Sequence, residues 1–226
     1  MRWVWIAAAA VLCAGGIIVA QEKKEEPKQA GKKVELTFED DALGKEWQVK
    51  GTVKVSGDQK HGGEKALYVG AKSSAKYVVS KEDVFGTVTM WIWDNGYKAG
   101  KEAYKGPQWG LVNEDGDMFF FSILFAKYLG GDTNYGWMVS LEPYSRRHSR
   151  AVRADGWHKF VFNVPDEKTL TVQMDGKYNS ATDTNVMNGD AEKIKFNKGF
   201  TGLWFYGGED EKGAPLYVDD IVIETK

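Results

Sequence analysis

The stretch RADGWHKFVFNVPDEKTLTVQMDGK, residues 153–177, holds two runs in which apolar and polar residues alternate, and a short turn-forming segment separates them. In the first run His158, Phe160 and Phe162 share one face. In the second run, residues 169–174, leucine, valine and methionine alternate with polar residues in the same way. A period of two is that of a β-strand with one buried face. The stretch therefore predicts an antiparallel hairpin that belongs to a larger β-structure.

The histidine of this hairpin has two interpretations, as a catalytic group or as a structural one. His158 shares its face with two phenylalanines, and this position favours a structural ring that is hydrogen-bonded at the edge of the sheet. The pair Asp175-Gly176, which follows the second run, predicts a tight turn.

The same short alternating pattern continues from Val34 to the end of the chain, and no stretch of twelve or more residues has a convincing helical period. The other runs of this type are VELTF (34–38), TVKVS (52–56), KALYVG (65–70), KYVVS (76–80), GTVTMWIWD (86–94), MFFFSILFA (118–126), YGWMVSL (135–141), GLWFYG (202–207) and PLYVDDIVIE (215–224). About a dozen strands predict an all-β fold, a two-sheet antiparallel β-sandwich with five or six strands in each sheet, of jelly-roll type.

The chain divides into three parts. Residues 1–20 have a basic start and an apolar run, which predicts a signal peptide or an N-terminal anchor. Residues 21–33 are charged and aperiodic, so they predict a solvated linker, and residues 34–226 form the β-sandwich domain. Cys13 is the only cysteine and lies in the leader, which excludes disulfides and thiolate metal sites from the domain. The leader predicts export to the cell envelope or outside the cell.

The composition and net charge limit the classes of partner that the chain can have. The chain has 226 residues, of which 42% are hydrophobic and 13% aromatic, with nine tryptophans, so it can bury a substantial core. Its formal net charge of −2 provides no overall field for nucleic acid or a membrane surface. We therefore expect no nucleic-acid partner, and no membrane contact apart from the leader.

Three segments resemble a known superfamily. DGWHKFVFNVPDEKTLTVQMDGK resembles a hairpin of concanavalin A-like and laminin G-like domains, and GFTGLWFYGGEDEKGAPLYVDDIVIE resembles their closing strands. LTFEDDALGKEWQVKGTVKVSGDQKHGGEKALYVG is similar to the opening of secreted bacterial jelly-roll modules of the carbohydrate-binding type. The resemblance implies a concanavalin A-like jelly roll that binds glycans or proteins, and fold alone does not choose between these functions.

Catalytic motifs are missing from the sequence. The Glu-x-Asp-x-x-Glu motif of the laminarinase-type enzymes that resemble this fold does not occur, and neither does Gly-x-Ser-x-Gly or His-Glu-x-x-His. A structural calcium ion is a candidate cofactor, because acidic residues follow the first strand and precede the last apolar run. Glu39, Asp40 and Asp219 are its predicted ligands, and turn-capping acids that face water are the alternative.

Glycan binding requires exposed aromatic rings that stack on sugars, together with polar groups for the hydroxyls. Trp109, Tyr135, Trp137 and Tyr144 lie in or beside predicted loops and are the predicted stacking residues. Tryptophans of a β-sandwich mostly fill its core, and we expect three of the other tryptophans of this chain to do so. These are Trp91, Trp157 and Trp204.

An arginine-rich segment, YSRRHSRAVR at residues 144–153, stands out in a slightly acidic protein. Arg146, Arg147 and Arg150 are predicted to bind the carboxylates or sulfates of an acidic polysaccharide, since guanidinium groups bind such anions bidentately. The alternative is a charged strand edge that discourages pairing with other chains.

The sequence thus favours an exported, non-catalytic carbohydrate-binding β-sandwich. Two alternatives stay open, an envelope structural or adhesion protein that binds other proteins, and a glycoside hydrolase or polysaccharide lyase with an unrecognised active site.

Overall fold

A computed structural model describes residues 31–97, 104–125, 133–139, 147–176, 185–190, 196, 198–212 and 215–226. Within these ranges, residues 104–105, 124–125, 139, 147–150 and 185–190 are described by their backbone alone. The leader and most of the predicted linker lie outside the described residues. Among the described residues, no helix is long and apolar enough to cross a membrane.

The described regular structure consists of fifteen β-strands. They are β1 (Lys33–Leu36), β2 (Trp47–Lys50), β3 (Val53–Ser56), β4 (Ala66–Val69), β5 (Ser74–Val78), β6 (Gly86–Asp94), β7 (Tyr104–Val112), β8 (Met118–Phe125), β9 (Asn134–Val139), β10 (Arg147–Val152), β11 (Gly156–Asp166), β12 (Thr169–Met174), β13 (Asn185–Asp190), β14 (Gly202–Tyr206) and β15 (Leu216–Thr225).

The strands form two antiparallel sheets. The eight-stranded sheet has the order β13-β12-β11-β6-β15-β4-β3, and β1 pairs with the far half of β15. The seven-stranded sheet has the order β10-β9-β8-β7-β14-β5-β2. The predicted all-β, two-sheet antiparallel sandwich is confirmed, although each sheet holds more strands than the five or six expected.

The core lies between the sheets and follows from the alternation in each strand. Val88, Met90 and Ile92 of β6 are fully buried, and the residues between them are partly exposed. Leu203 and Phe205 of β14 face them from the seven-stranded sheet. Burying a side chain of this size stabilises the fold by about 1.5–3 kcal/mol, so the inward positions of the strands dominate its stability.

The hairpin of residues 153–177 forms as its pattern predicts. Strand β11 pairs with β12, with Phe160 opposite Met174 and Phe162 opposite Val172, and these inward residues are buried. Strand β11 also pairs with β6 over nine residues. Gly156 lies opposite Asp94 at one end of this pairing, and Val164 lies opposite Gly86 at the other. The hairpin therefore joins the middle of the eight-stranded sheet rather than its edge.

His158 is a structural histidine, as its position predicts. Its Nδ1 lies 2.7 Å from an oxygen of Asp175, and its Nε2 lies 2.8 Å from the carbonyl oxygen of Ala154. Asp175 has a positive φ of 53° at the turn after β12, and it also accepts the backbone N–H of Lys159. The histidine thus ties the end of β12 to the start of β11.

A buried ion pair closes the same end of the sandwich. Arg153 donates two hydrogen bonds of 2.8 Å to the carboxylate of Asp94, and a third of 3.0 Å to the carbonyl oxygen of Tyr97. Both charged side chains are almost inaccessible, with 6% and 1% of their surface exposed. Removing one partner would leave an uncompensated buried charge, so the pair fixes how the segment before β11 meets the end of β6.

The surroundings of His158 predict a pH-dependent contribution to stability. Burial lowers the pKa of His158, but the bonds to Asp175 and Ala154 outweigh burial and raise it above its usual 6.5. A raised folded-state pKa stabilises the fold fully below the unfolded value and loses this effect as the pH rises through the folded value. We expect His158→Gln to cost more unfolding free energy at about pH 6 than at about pH 9, measured by urea denaturation.

Asp175→Asn is the control for this prediction, because it removes the charge that favours protonated His158. In that background, His158→Gln should cost nearly the same at both pH values. An equal cost at both pH values in the otherwise unchanged protein would contradict the role assigned to the pair.

Candidate functional site

Two of the predicted stacking residues lie in the core. Trp109 on β7 and Tyr135 on β9 are fully buried, and their rings meet edge to face with centroids 5.6 Å apart. The Trp109 ring also contacts Phe160 of the opposite sheet at 5.1 Å. Their prediction as ligand-stacking residues is corrected, because neither ring has an exposed surface on which a sugar could stack.

Three other predicted ligand residues lie on β9 and β10, at one edge of the seven-stranded sheet. Trp137 is partly buried and packs against the core, with its ring 5.9 Å from that of Phe119. Arg147 lies opposite Trp137 in the pairing of β10 with β9, and Arg150 lies further along β10, the edge strand. Tyr144 and Arg146 lie outside the described residues.

The predicted calcium ligands hold a loop instead of converging on one point. Glu39 accepts the backbone N–H groups of Glu64 and Lys65. Asp219 is buried, and its Oδ2 accepts the backbone N–H groups of His61 and Gly62 at 2.9 and 3.2 Å. Burial raises the pKa of Asp219, with the three backbone N–H groups that it accepts acting against the shift.

Asp40 is exposed. No group of three or more histidine, aspartate or glutamate side chains in the described part of the chain could hold a metal ion. The calcium ion stays a prediction, and Glu39 and Asp219, from the two ends of the chain, each bind the backbone of the loop between β3 and β4.

Three tryptophans predicted for the core lie on the outer faces of the sheets. Trp91 on β6 and Trp157 on β11 are partly exposed on the eight-stranded sheet, and Trp204 on β14 is partly exposed on the seven-stranded sheet. Their outward position could not be predicted from the sequence pattern. Each strand carries apolar residues on both faces, so its pattern cannot show which face turns inward.

The outer face of the seven-stranded sheet carries a first cross-strand row around Trp204. The register places Trp204 opposite Lys76 on one side and opposite Gly110 on the other, and Gly110 opposite Phe120. A Cβ on Gly110 would collide with the backbone of β8, so glycine permits the close approach of the two strands there. The ring centroids of Trp204 and Phe120 lie 5.6 Å apart across this gap.

A second row runs parallel to the first. Tyr206 lies opposite Ser74 and Gln108, and Gln108 lies opposite Ser122. The Tyr206 and Trp204 rings are nearly parallel, with an interplanar angle of 9° and centroids 5.9 Å apart, and both are partly exposed. We call these outward positions the Trp204 face: Trp204 and Tyr206 are partly exposed, and Phe120, Gln108 and Ser122 beside them are buried.

The polar groups of the Trp204 face become more buried toward β8. Gln108 is 7% exposed, and Ser122 has no exposed surface. The Oγ of Ser122 has no hydrogen-bond partner in the part of the chain that the structure describes. A buried hydroxyl without a partner is costly, and a water molecule or a ligand hydroxyl at this position would satisfy it.

The Trp204 face has no carboxylate among its described strand positions. The residues that share it include Lys76, two serines and a glutamine. Sequence reasoning missed Tyr206, Gln108 and Ser122 as ligand candidates. The alternation of GLWFYG pairs Tyr206 with Trp204 on one face, but it does not show which face is outside, and Gln108 and Ser122 lie on other strands that gave no such signal.

Comparison with known proteins gives a fold and no sequence relative. No protein-family model matches the chain, and no curated protein matches it. Among solved structures, a glycoside hydrolase family 16 endo-glucanase from Bacteroides ovatus is similar, with a TM-score of 0.55 and 12% identity over 84% of this chain and 99% of that one. Cellulose induced protein, Cip1, has a TM-score of 0.52 and 15% identity over 84% and 96% of the two chains.

A protein of unknown function from Shewanella oneidensis is also similar, with a TM-score of 0.51 and 9% identity over 87% of both chains. These identities establish the fold alone. The chain is a jelly-roll β-sandwich. The resemblance predicted from the hairpin and the terminal strands is thereby confirmed at the level of architecture.

The burial of Trp109 in this jelly roll predicts a large loss of stability on its removal. We expect Trp109→Ala to lower the free energy of unfolding by about 3–5 kcal/mol, because it leaves a cavity between Tyr135 and Phe160. Urea denaturation measures the loss. Val49→Ala is the matched control, since Val49 is 52% exposed and its truncation should change stability by no more than about 0.5 kcal/mol. A Trp109→Ala variant as stable as the control would place the ring at the surface after all.

Proposed function

We propose that the chain binds a polysaccharide on the Trp204 face. The observation that carries this proposal is the nearly parallel, partly exposed pair of Trp204 and Tyr206 on a sheet face. Parallel rings on adjacent outward positions of one strand offer apolar surface to two successive sugars of a chain. Aromatic rings with one apolar side and one wet side are suited to such contacts.

The neighbouring polar groups support a sugar ligand in particular. Gln108 provides an amide donor and acceptor, and Ser122 provides a buried hydroxyl without a partner among the described residues. Binding sites of this kind combine aromatic surface with a few convergent polar groups that fix orientation. A sugar hydroxyl that reaches Ser122 would supply the hydrogen bond that the described residues leave unmade.

The composition of the Trp204 face favours binding over hydrolysis. Retaining glycosidases require two carboxyl groups about 5 Å apart on either side of the bond that they cleave. The described strand positions of this face supply lysine, serine and glutamine instead of aspartate or glutamate. The similarity in fold to a glycoside hydrolase therefore extends to the scaffold, and the proposed role is non-catalytic.

The arginine-rich strand suggests the charge of the ligand. Strand β10, with Arg147 and Arg150, is two strands away from β8 and Ser122 on the same sheet. A glycan that extends from Tyr206 across β8 would approach this edge. The register places Arg147 in the row of Trp137 and Phe121, which faces the core, so its guanidinium group would have to reach around the edge strand to bind a uronate or sulfate group of this glycan. With that contact we infer an acidic polysaccharide. The leader of residues 1–20 supports export, which would bring the chain to such polymers in the envelope or outside the cell.

Removing the ring pair tests the proposal directly. We expect the double variant Trp204→Ala/Tyr206→Ala to bind acidic polysaccharides at least about tenfold more weakly, because each stacked ring contributes on the order of 1 kcal/mol. Affinity electrophoresis against alginate, polygalacturonate, xylan and mixed-linkage glucan measures the change. Val49→Ala is the control for surface truncation and should bind like the unchanged protein.

Circular dichroism must show that the double variant is folded before the comparison counts. Binding of alginate and polygalacturonate with unchanged affinity in a folded double variant would refute the Trp204 face as the site. Release of reducing sugar by the unchanged protein would refute the non-catalytic role.

The arginines should contribute only to acidic ligands. We expect Arg147→Gln/Arg150→Gln to weaken binding of alginate and polygalacturonate, and to leave binding of neutral glucans unchanged, because only a charged partner gains from a guanidinium contact. The affinity of the unchanged protein for alginate should also fall with added salt. Lys45→Gln, a charge change in the turn before β2, is the control. An equal loss for neutral and acidic polymers would contradict the assignment.

A further inference from the structure

The outer face of the eight-stranded sheet carries an aromatic row that the Trp204 face does not include. The register places Tyr217 of β15 opposite Tyr68 of β4 and opposite Trp93 of β6, and Trp93 opposite Trp157 of β11. Four aromatic residues thus stand side by side on four adjacent strands. Because neighbouring strands lie about 4.8 Å apart, the row is about 14 Å long.

Sheet stability alone does not explain this row. The same strands carry the polar residues Thr87, Asn163 and Glu224 at the other end of the same face, and Thr87 donates to Asn163 across the strands. Outward positions of this sheet away from the aromatic rings are therefore filled mainly by polar residues, with Val161 and Val222 as apolar exceptions. The aromatic residues are confined to the end of the face beside the loop of residues 57–65.

Three rings of the row keep surface for a ligand, while the fourth, Tyr217, is 7% exposed. Tyr68, Trp93 and Trp157 are partly exposed. Trp93 and Trp157 meet edge to face at 5.7 Å, and so do Tyr68 and Tyr217 at 5.4 Å. An edge-to-face pair uses one face of one ring, so the other ring faces stay available for stacking.

The loop of residues 57–65 forms a wall along one side of the row. His61 stacks on Trp91, the next outward residue of β6, with ring centroids 3.6 Å apart and an angle of 18°. Asp220 lies 2.7 Å from Nδ1 of His61, and Asp219 accepts the backbone N–H of the same residue. The His61 ring also meets the edge of Trp157 at 5.8 Å. The wall is therefore held in place by strand β15 itself.

Polar groups around the row are balanced in charge. Lys54 stands at one end with its amino group 5.1 Å from the centre of the Tyr68 ring, and Lys159 stands beside Trp91 at the other. Burial, with Asp58 and Tyr68 nearby, raises the pKa of Tyr217 to about 12, so its hydroxyl keeps its proton. These amino, hydroxyl and carboxylate groups include hydrogen-bond donors and acceptors, so they complement sugar hydroxyls, which both donate and accept. Because positive and negative groups are both present, they do not favour a polyanion.

We propose that this surface, formed by Tyr68, Tyr217, Trp93 and Trp157 with His61 as its wall, binds a neutral oligosaccharide chain independently of the Trp204 face. Its length exceeds a single sugar and matches a linear chain that lies across the strands. The two surfaces stand on opposite sides of the sandwich, so one domain holds two glycan chains at once. Simultaneous binding of two polymers converts weak single contacts into strong overall attachment.

The test uses the full-length chain and three double variants. Trp93→Thr/Trp157→Thr removes two rings of the row and inserts the residue type that β6 already carries at Thr87 and Thr89 of the same face. Trp204→Ala/Tyr206→Ala removes the ring pair of the other surface. Val161→Thr/Val222→Thr is the matched control, since both valines are partly buried on the same outer face away from the row.

Binding of xylan and mixed-linkage glucan is measured for each variant by calorimetry. We expect Trp93→Thr/Trp157→Thr to lose about tenfold or more in affinity for at least one of these neutral polymers. The valine control and the Trp204→Ala/Tyr206→Ala variant should retain that affinity. Binding of both polymers by the Trp93→Thr/Trp157→Thr variant as tightly as by the unchanged protein would overturn the proposal, as would the lack of any neutral ligand for the unchanged protein.

The outcome separates the two proposals. A loss confined to the Trp204→Ala/Tyr206→Ala variant would leave the proposed function standing and overturn the second surface, and a loss confined to the Trp93→Thr/Trp157→Thr variant would do the reverse. A second readout avoids dependence on the folding of the tryptophan variant. In the Trp204→Ala/Tyr206→Ala background, the neutral polymer should still change the tryptophan fluorescence, and an unchanged spectrum would overturn the second surface.

Discussion

The need to bury one face of each strand in the core is the constraint on which both outer surfaces of the sandwich depend, and β6 shows it most clearly. Strand β6 pairs with β11 from Gly86 to Asp94 and with both halves of β15, so it cannot shift relative to either strand alone. Its side chains alternate, and a slip by one residue would turn Trp91 and Trp93 into the core and Ile92 to water. The need to bury Val88, Met90 and Ile92 therefore also lines up the outward rings in rows across the sheet.

The seven-stranded sheet obeys the same constraint with a different result. Leu203 and Phe205 of β14 must fill the core, which forces Trp204 and Tyr206 to the outside. Strand β7 opposes these rings with Gly110 and Gln108, so the rings have a small residue and a polar residue beside them instead of two bulky ones. Inward packing thus fixes the position of the proposed ligand surface. The types of residue at the outward positions determine its binding chemistry, and the stability of the fold does not require them.

Local patterns predicted the parts of this fold that are decided locally. The hairpin of β11 and β12, the inward face of Phe160 and Phe162, and the bonded His158 follow from alternation within one segment. The position of Trp109 does not. Its segment contains Pro107, and the pairing of β7 with β8 shifts register between Lys105 and Gln108, where proline is tolerated. Glycine and proline beside the tryptophan predicted a loop, whereas the strand continues past a bulge and buries the ring. Strands that are apolar on both faces, such as GLWFYG, hide their inward side in the same way, because partners elsewhere in the chain decide it.

The acids at the chain ends show how one set of residues supports two different interpretations of a sequence. Their number and position predicted a calcium staple, and the described geometry gives Glu39 and Asp219 backbone N–H groups as partners. A carboxylate that accepts such groups fixes a loop without a metal, since the charged acceptor strengthens each bond. Asp220 has a positive φ of 44° within the register shift of β15, and this bend aims its carboxylate at His61. The bulge that interrupts the closing strand is therefore what presses the loop against Trp91, and it links the pairing of the chain termini to the shape of the aromatic surface.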